Sequence, residues 1–194
     1  MLIVDTTEVI KDLSELGIII DSRMWRPFME KYDCQKICEI GVLTGLNFNL
    51  MIKHNPQVAV AVDTWREDSV LSRHSQEFFD ECYEDMKKLN ARNPFVQILR
   101  EYSFDAVKHF PDEYFDLIYI DGDHSFEGCF RDLQDWYPKV KKGKFLVGDD
   151  FGNGSTVMGN VRLRYEVKKA LDKFAQENGI SVYKLPHHGW AIIK

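Results

Sequence analysis

Short β-branched apolar runs alternate with longer amphipathic stretches along most of this chain, and that alternation restricts the fold more than any other feature. The runs are 36–40, 58–62, 95–99, 115–120 and 144–148. Between them, residues 75–90 place Phe79, Cys82, Tyr83, Met86 and Leu89 on one helical face. Residues 44–54, 103–109, 126–137 and 160–177 also read as helices. Strands that alternate with helices predict a doubly wound α/β fold, a Rossmann-like and mostly parallel sheet. The closing stretch ISVYKLPHHGWAIIK holds two strands about a turn at 186–189, which predicts an antiparallel C-terminal hairpin.

At 194 residues the chain is of a size for one domain. Residues 1–33 carry helical periodicity and form an expected N-terminal cap, with 34–194 as the core. A net charge of −6 and the lack of a long basic run argue against nucleic acid or an anionic membrane as partner. The apolar runs are far too short to span a bilayer, and the first residues lack a basic n-region, so a cytoplasmic location is expected. Cys34, Cys38, Cys82 and Cys129 have no zinc-ligand spacing and read as reduced, buried thiols. Assembly into an oligomer stays open.

The chemistry concentrates where strands end. Run 115–120 leads into Asp121, Asp123 and His124, and run 144–148 leads into Asp149-Asp150. A strand, a helix and a second strand bring both acid clusters to one edge of a parallel sheet. Carboxylates that converge in this way repel one another unless a cation or a proton relieves them. Their oxygens suit a hard divalent ion, magnesium first and manganese next. Lysines or loop amides could hold the same acids instead. His124 can act as a general base, as can Asp123, or it can orient a carboxylate. His187 and His188 fall in the expected hairpin turn.

Three further positions line the same edge. Glu39-Ile40-Gly41-Val42-Leu43-Thr44-Gly45 joins the first strand to its helix. Its glycines allow a tight turn and a close ligand, and the helix start favours an anion. The dinucleotide pattern GxGxxG is absent, so a ligand with a single carboxylate fits better. Asp63 ends the second strand, where an acid accepts hydrogen bonds from ribose hydroxyls or caps a turn. Ser103 follows the third strand and either edges an adenine or caps the next helix. Trp65 can stack on a base or pack on the core rim. FGNGSTVMGN, with Gly152, Gly154 and Gly159, reads as a mobile lid or a plain loop. Arg73, Arg162 and Arg164 are either solvated or able to receive an anion.

At these residues the chain resembles class I S-adenosylmethionine-dependent methyltransferases. It is most similar to the small methyltransferase family that carries IDGDHSYEG followed by GDD, here IDGDHSFEG and GDD. EIGVLTG stands at the first glycine motif and VAVDTW at the ribose acid. The resemblance covers 36–194 and implies a seven-stranded sheet with a reversed last strand. It implies S-adenosylmethionine as cofactor, held by Glu39, Gly41, Gly45, Asp63, Ser103 and Asp121. It also implies Asp121, Asp149 and Asp150 as ligands of Mg2+ or Mn2+. Asp-Asp, where catechol-type enzymes have Asp-Asn, leans toward a sugar-like hydroxyl on a small-molecule acceptor. The rival readings are a nicotinamide-dependent oxidoreductase, a metal-dependent hydrolase and a non-catalytic cofactor-binding protein.

Overall fold

The computed structural model describes residues 6–16, 22–67, 74–158 and 161–194. Lys36–Ile40 (β1), Val58–Asp63 (β2), Val96–Arg100 (β3), Phe115–Ile120 (β4) and Val140–Gly148 (β5) run parallel in the order β3-β2-β1-β4-β5. Covered on both faces, the inner strands have near-continuous apolar sequences such as VAVAV in β2. Tyr183–Lys184 (β8) and Trp190–Ile193 (β9) complete the seven-stranded sheet, with β9 antiparallel to both β5 and β8. The expected sheet and its reversed closing strand are therefore present.

Thr6–Leu16 (α1), Ser22–Lys31 (α2), Leu46–Met51 (α3) and Gln76–Arg92 (α4) cover one face. Val9, Leu13, Phe28, Met29, Phe48 and Met86 pack there with the strand residues Ile37, Leu117 and Phe145. Ser103–Ala106 (α5), Phe126–Trp136 (α6) and Val167–Asn178 (α7) cover the other. Leu133, Trp136, Leu171 and Phe174 meet Cys38, Ile118 and Leu146. The strands alternate between these two cores with a period of two, as pleating requires. Side chains fix the helix starts: Ser75 accepts from the Phe78 amide and Ser125 from the Gly128 amide. All four cysteines are buried and free, as expected. Among the described residues no helix is long and apolar enough to cross a membrane.

Two buried acids tie this frame together. Asp116 accepts hydrogen bonds from the Gln35 and Lys36 amides and from Lys141 Nζ, joining the starts of β1, β4 and β5. Asp132 on α6 accepts a hydrogen bond from the Ser103 hydroxyl and so links α6 to α5.

Several local expectations change. The helix expected over 44–54 is α3 followed by a 3-10 turn at Ile52–His54. The helix expected over 160–177 begins only at Val167. Ahead of it, Gly154–Met158 (β6) and Val161–Tyr165 (β7) pair as an antiparallel hairpin in place of a lid without secondary structure. The sequence VRLRY explains the difference, because apolar and basic residues alternate with the period of a strand. Arg73 and Gly159, and the side chains of Arg162 and Arg164, lie outside the described residues.

Burial pushes the Asp132 carboxyl up from 3.8 to about 7; the Ser103 hydrogen bond opposes the shift. Folding then takes up a proton between those two values, so this group's contribution to stability falls as pH rises through that window. Asp132→Asn should remove the fall. Relative to the parent, the variant should gain roughly 4 kcal/mol between about pH 4 and pH 8. Thermal unfolding across that range checks this, and parallel profiles for the two proteins would refute it.

Candidate active site

The sheet reverses its direction of growth at β1, with β2 on one side and β4 on the other. In open α/β sheets a crevice opens at such a switch, outside the carboxyl ends of the strands. Here the strand ends nearly touch. The Asp121 amide donates to the Ile40 carbonyl at 2.8 Å, and the Gly41 amide to the Val62 carbonyl at 2.9 Å. Gly41 has φ +83°, and a Cβ at this position would run into the Asp121 carbonyl, so only glycine fits. Gly45, at φ +75°, turns the chain into α3 against the Met86 sulfur.

Asp63 shapes the turn between these glycines. Its Oδ2 accepts from the Val42 and Leu43 amides, each at 2.9 Å, and its Oδ1 from the Trp65 amide at 2.8 Å. The Trp65 indole is fully buried and donates to the Leu43 carbonyl, so it braces the turn from the core rim. Two of the amides that could greet an anion are thus engaged by Asp63. Oδ1, with one bond, keeps further capacity to accept.

Glu39 lies two residues before this turn's first glycine, on the N-terminal-helix face, and it is 2% exposed. Burial, then the charges of Asp121 and Asp63, push its carboxyl well above the usual range, against the hydrogen bond from Asn47. Tyr119 pairs in register with Glu39 across β1 and β4. Its phenol is pushed up by burial and then by Asp121, Asp149, Glu39 and Asp150. The two residues share a face and an acidic field.

The acid corner follows at the ends of β4 and β5. Asp121, His124 and Asp150 each bring a ligand atom within 4.8 Å of the others. His124 Nε2 lies 3.1 Å from Asp121 Oδ1 and 3.3 Å from Asp150 Oδ2. Burial would lower the imidazole's pKa, but the hydrogen bond to Asp121 and the charges of Asp121, Asp150 and Asp123 outweigh it and the net shift is upward. His124 also stacks on Tyr165 at 5.6 Å between ring centroids, and its carbonyl accepts from the Glu166 amide. The β6–β7 hairpin thus begins and ends beside the acids.

The remaining expected residues sit around this cluster. Asp149 Oδ1 accepts from the Asp150 amide, and Asp150 has φ +57°. Burial and then the charges of Asp121 and Asp150 push the Asp149 carboxyl up, against the Asp150 amide bond. Trp190 Nε1 donates to the Asp149 carbonyl from β9, and Gly148 leaves room for that indole. Asp123 faces the first turn of α6, where its Oδ1 accepts from the Ser125 amide. Ser103 does not cap α5, since Tyr102 holds the cap position; its hydroxyl goes to Asp132. His187 and His188 occupy the closing turn, outside the cluster.

The donor set fits a divalent ion: two carboxylates with an imidazole between them, at partly exposed positions. Oxygens suit magnesium or manganese, and the imidazole nitrogen widens the choice toward later transition metals. Asp132 went unnoticed as a buried acid in sequence, although it lies on the Cys129–Leu133–Trp136 stripe of α6. A charge on an apolar stripe was the available signal. Tyr165 and Trp25 carried no comparable signal.

Known proteins resemble this geometry and this sequence. A family model described as a methyltransferase domain matches residues 38–151, more than half of the chain. The O-methyltransferase of Bacillus cereus, solved with S-adenosylhomocysteine, superposes with TM-score 0.62 at 14% identity, covering 100% of this chain and 94% of its own. A candidate caffeoyl-CoA O-methyltransferase of Staphylococcus aureus gives 0.62 at 15%, covering 97% and 91%. Spermidine synthase of Thermotoga maritima gives 0.54 at 15%, covering 95% of this chain but 58% of its own. At such identities the likeness is one of fold. An uncharacterised protein of Acanthamoeba polyphaga mimivirus is 34% identical over 68 residues, which span 33% of this chain and 31% of that relative. The family match places the chain in the methyltransferase-domain family.

Proposed function

We propose that this protein methylates a hydroxyl oxygen of a small, sugar-like acceptor, with a divalent ion at the acid corner. One observation carries the reading: Asp121, His124 and Asp150 converge at the mouth of the β1–β4 crevice, next to the glycine turn. S-adenosylmethionine would supply the sulfonium methyl. A divalent ion would lower the acceptor hydroxyl's pKa and fix its orientation.

The protein's own residues supply alignment, which carries much of the rate of an in-line transfer. Gly41 and Gly45 keep the turn open to the cofactor, whose carboxylate faces it. Glu39, with Asp121 beyond it, faces the cofactor's amino group, because a buried carboxylate needs a cation. Asp63 presents Oδ1 to the ribose while Oδ2 holds the turn. Ser103 marks the adenine side, where Asp132 fixes its hydroxyl. Asp121, Asp149 and Asp150 would hold the ion through their carboxylates, which leaves the imidazole of His124 out of the ligand set. His124 would then take the hydroxyl proton, and Asp121 and Asp150 would stabilise the imidazolium that results. Asp123 is the secondary proton acceptor.

The O-methyltransferase neighbours in the fold comparison favour oxygen as the methylated atom. Asp149-Asp150, in place of Asp-Asn, favours a sugar over a catechol. A methyl-transfer screen of sugars against catechols, run with and without magnesium, tests the whole reading. Chelation should abolish turnover, and added magnesium or manganese should restore it. Undiminished turnover in chelator would remove the ion from the reading and leave the transferase intact.

Asp150→Asn should lower kcat/KM by roughly 100-fold, a loss of a few kcal/mol of transition-state stabilisation, with S-adenosylhomocysteine affinity kept. An equal loss of cofactor affinity would contradict the assignment. Asp63→Ala should weaken S-adenosylhomocysteine binding by at least about tenfold, since it removes charge-assisted hydrogen bonds. Calorimetry that returns the parent's dissociation constant would refute the Asp63 role.

A further inference from the structure

The Glu39 carboxylate meets a side chain whose own orientation is set from outside the sheet. Asn47 Nδ2, on α3, donates to Glu39 Oε2 at 3.3 Å. Asn47 Oδ1 accepts from Trp25 Nε1, on α2, at 3.0 Å. An indole N–H can only donate, so the amide must turn its oxygen to Trp25 and its NH2 to Glu39. The ring of Trp25 also stands edge-on to Tyr119, 5.9 Å between centroids and at 81°. Tyr119 is the neighbour of Glu39 in the sheet register. Trp25 therefore touches both sides of the Glu39 position.

Its helix is held in place by charge. Lys31 Nζ bridges Glu8 and Asp12 of α1, and the Tyr32 hydroxyl donates to the same Asp12. Phe28 and Tyr32 pack on Phe145 of β5. The N-terminal helices thus hold Trp25 against the sheet face that carries Glu39 and Tyr119.

We propose that Trp25 and Asn47 are positioning residues for the cofactor's ammonium group, acting through the chain Trp25–Asn47–Glu39. The inference rests on the reading above that Glu39 faces that ammonium. A buried carboxylate binds a cation well only in its ionised form. A donor aimed at the carboxylate favours that form; an amide oxygen aimed at it does the opposite. By fixing the amide, Trp25 fixes which of the two Glu39 meets. Without the indole N–H, the amide is free to flip.

The test compares two ligands in each protein. S-adenosylhomocysteine carries the amino-acid group, whereas 5′-methylthioadenosine shares the adenosine and thioether but lacks it. Trp25→Phe keeps a ring against Tyr119 and removes the donor. Asn47→Leu keeps the volume and removes the amide. Each variant should bind S-adenosylhomocysteine about tenfold more weakly, the scale of one hydrogen bond to a charged group, and 5′-methylthioadenosine as before. The double variant should lose no more than either single one, because both act through one chain. An unchanged ratio of the two affinities, or an equal loss for both ligands, overturns the proposal; the equal loss marks a packing role only. A parent protein that binds both ligands alike overturns the Glu39 reading and this inference with it.

Discussion

The approach of β1 to β4 at their carboxyl ends is the constraint on which the site depends. Gly41 sits where a Cβ would strike the Asp121 carbonyl, and the Asp121 amide reaches the Ile40 carbonyl. Any side chain at 41 would push the two strand ends apart. With glycine there, the Gly41–Gly45 turn and Asp121 at the head of the acid corner stand side by side. Asp63 then sets the shape of that turn from β2, and Trp190 sets the Asp149 carbonyl from β9. Five neighbouring strands, in the order β2-β1-β4-β5-β9, hold these groups, so their geometry comes from the sheet.

Electrostatics follows from that geometry. Glu39, Asp121, Asp149 and Asp150 gather at one sheet edge, and burial, then this crowding of charge, pushes the Glu39 and Asp149 carboxyls up. His124 answers part of the repulsion by lying between two carboxylates. Glu39 is partnered instead by the neutral amide of Asn47. On the proposed function these acids would receive two cationic guests, a divalent ion at the acid corner and the cofactor's ammonium beside Glu39.

Most of the sheet was legible in the sequence because parallel strands buried on both faces leave continuous β-branched runs. The acids at the strand ends were legible for the same reason: once a run is a strand, the residue after it is at the edge. What the sequence hid was the direction of individual side chains. Asp123 turns to the start of α6, Ser103 to Asp132, and Asp149 to the amide beside it. Such choices are settled by nearby amides that spacing does not reveal. The hairpin at 154–165 replaces the loop and helix expected there, because its glycines mask a two-residue alternation. Trp25 and Asn47 lie 22 residues apart and meet only through packing.

The support that β9 gives to the acid pair has a consequence for how the molecule is made. During synthesis β1 to β5 leave the ribosome well before Trp190. A nascent chain with those five strands in place would own the glycine turn and Asp121, but the Asp149 carbonyl would still lack its indole donor. The corner matures last, after every other wall of the crevice has been translated. A partly made protein would therefore hold the glycine turn in shape before the Asp149–Asp150 pair is fully braced.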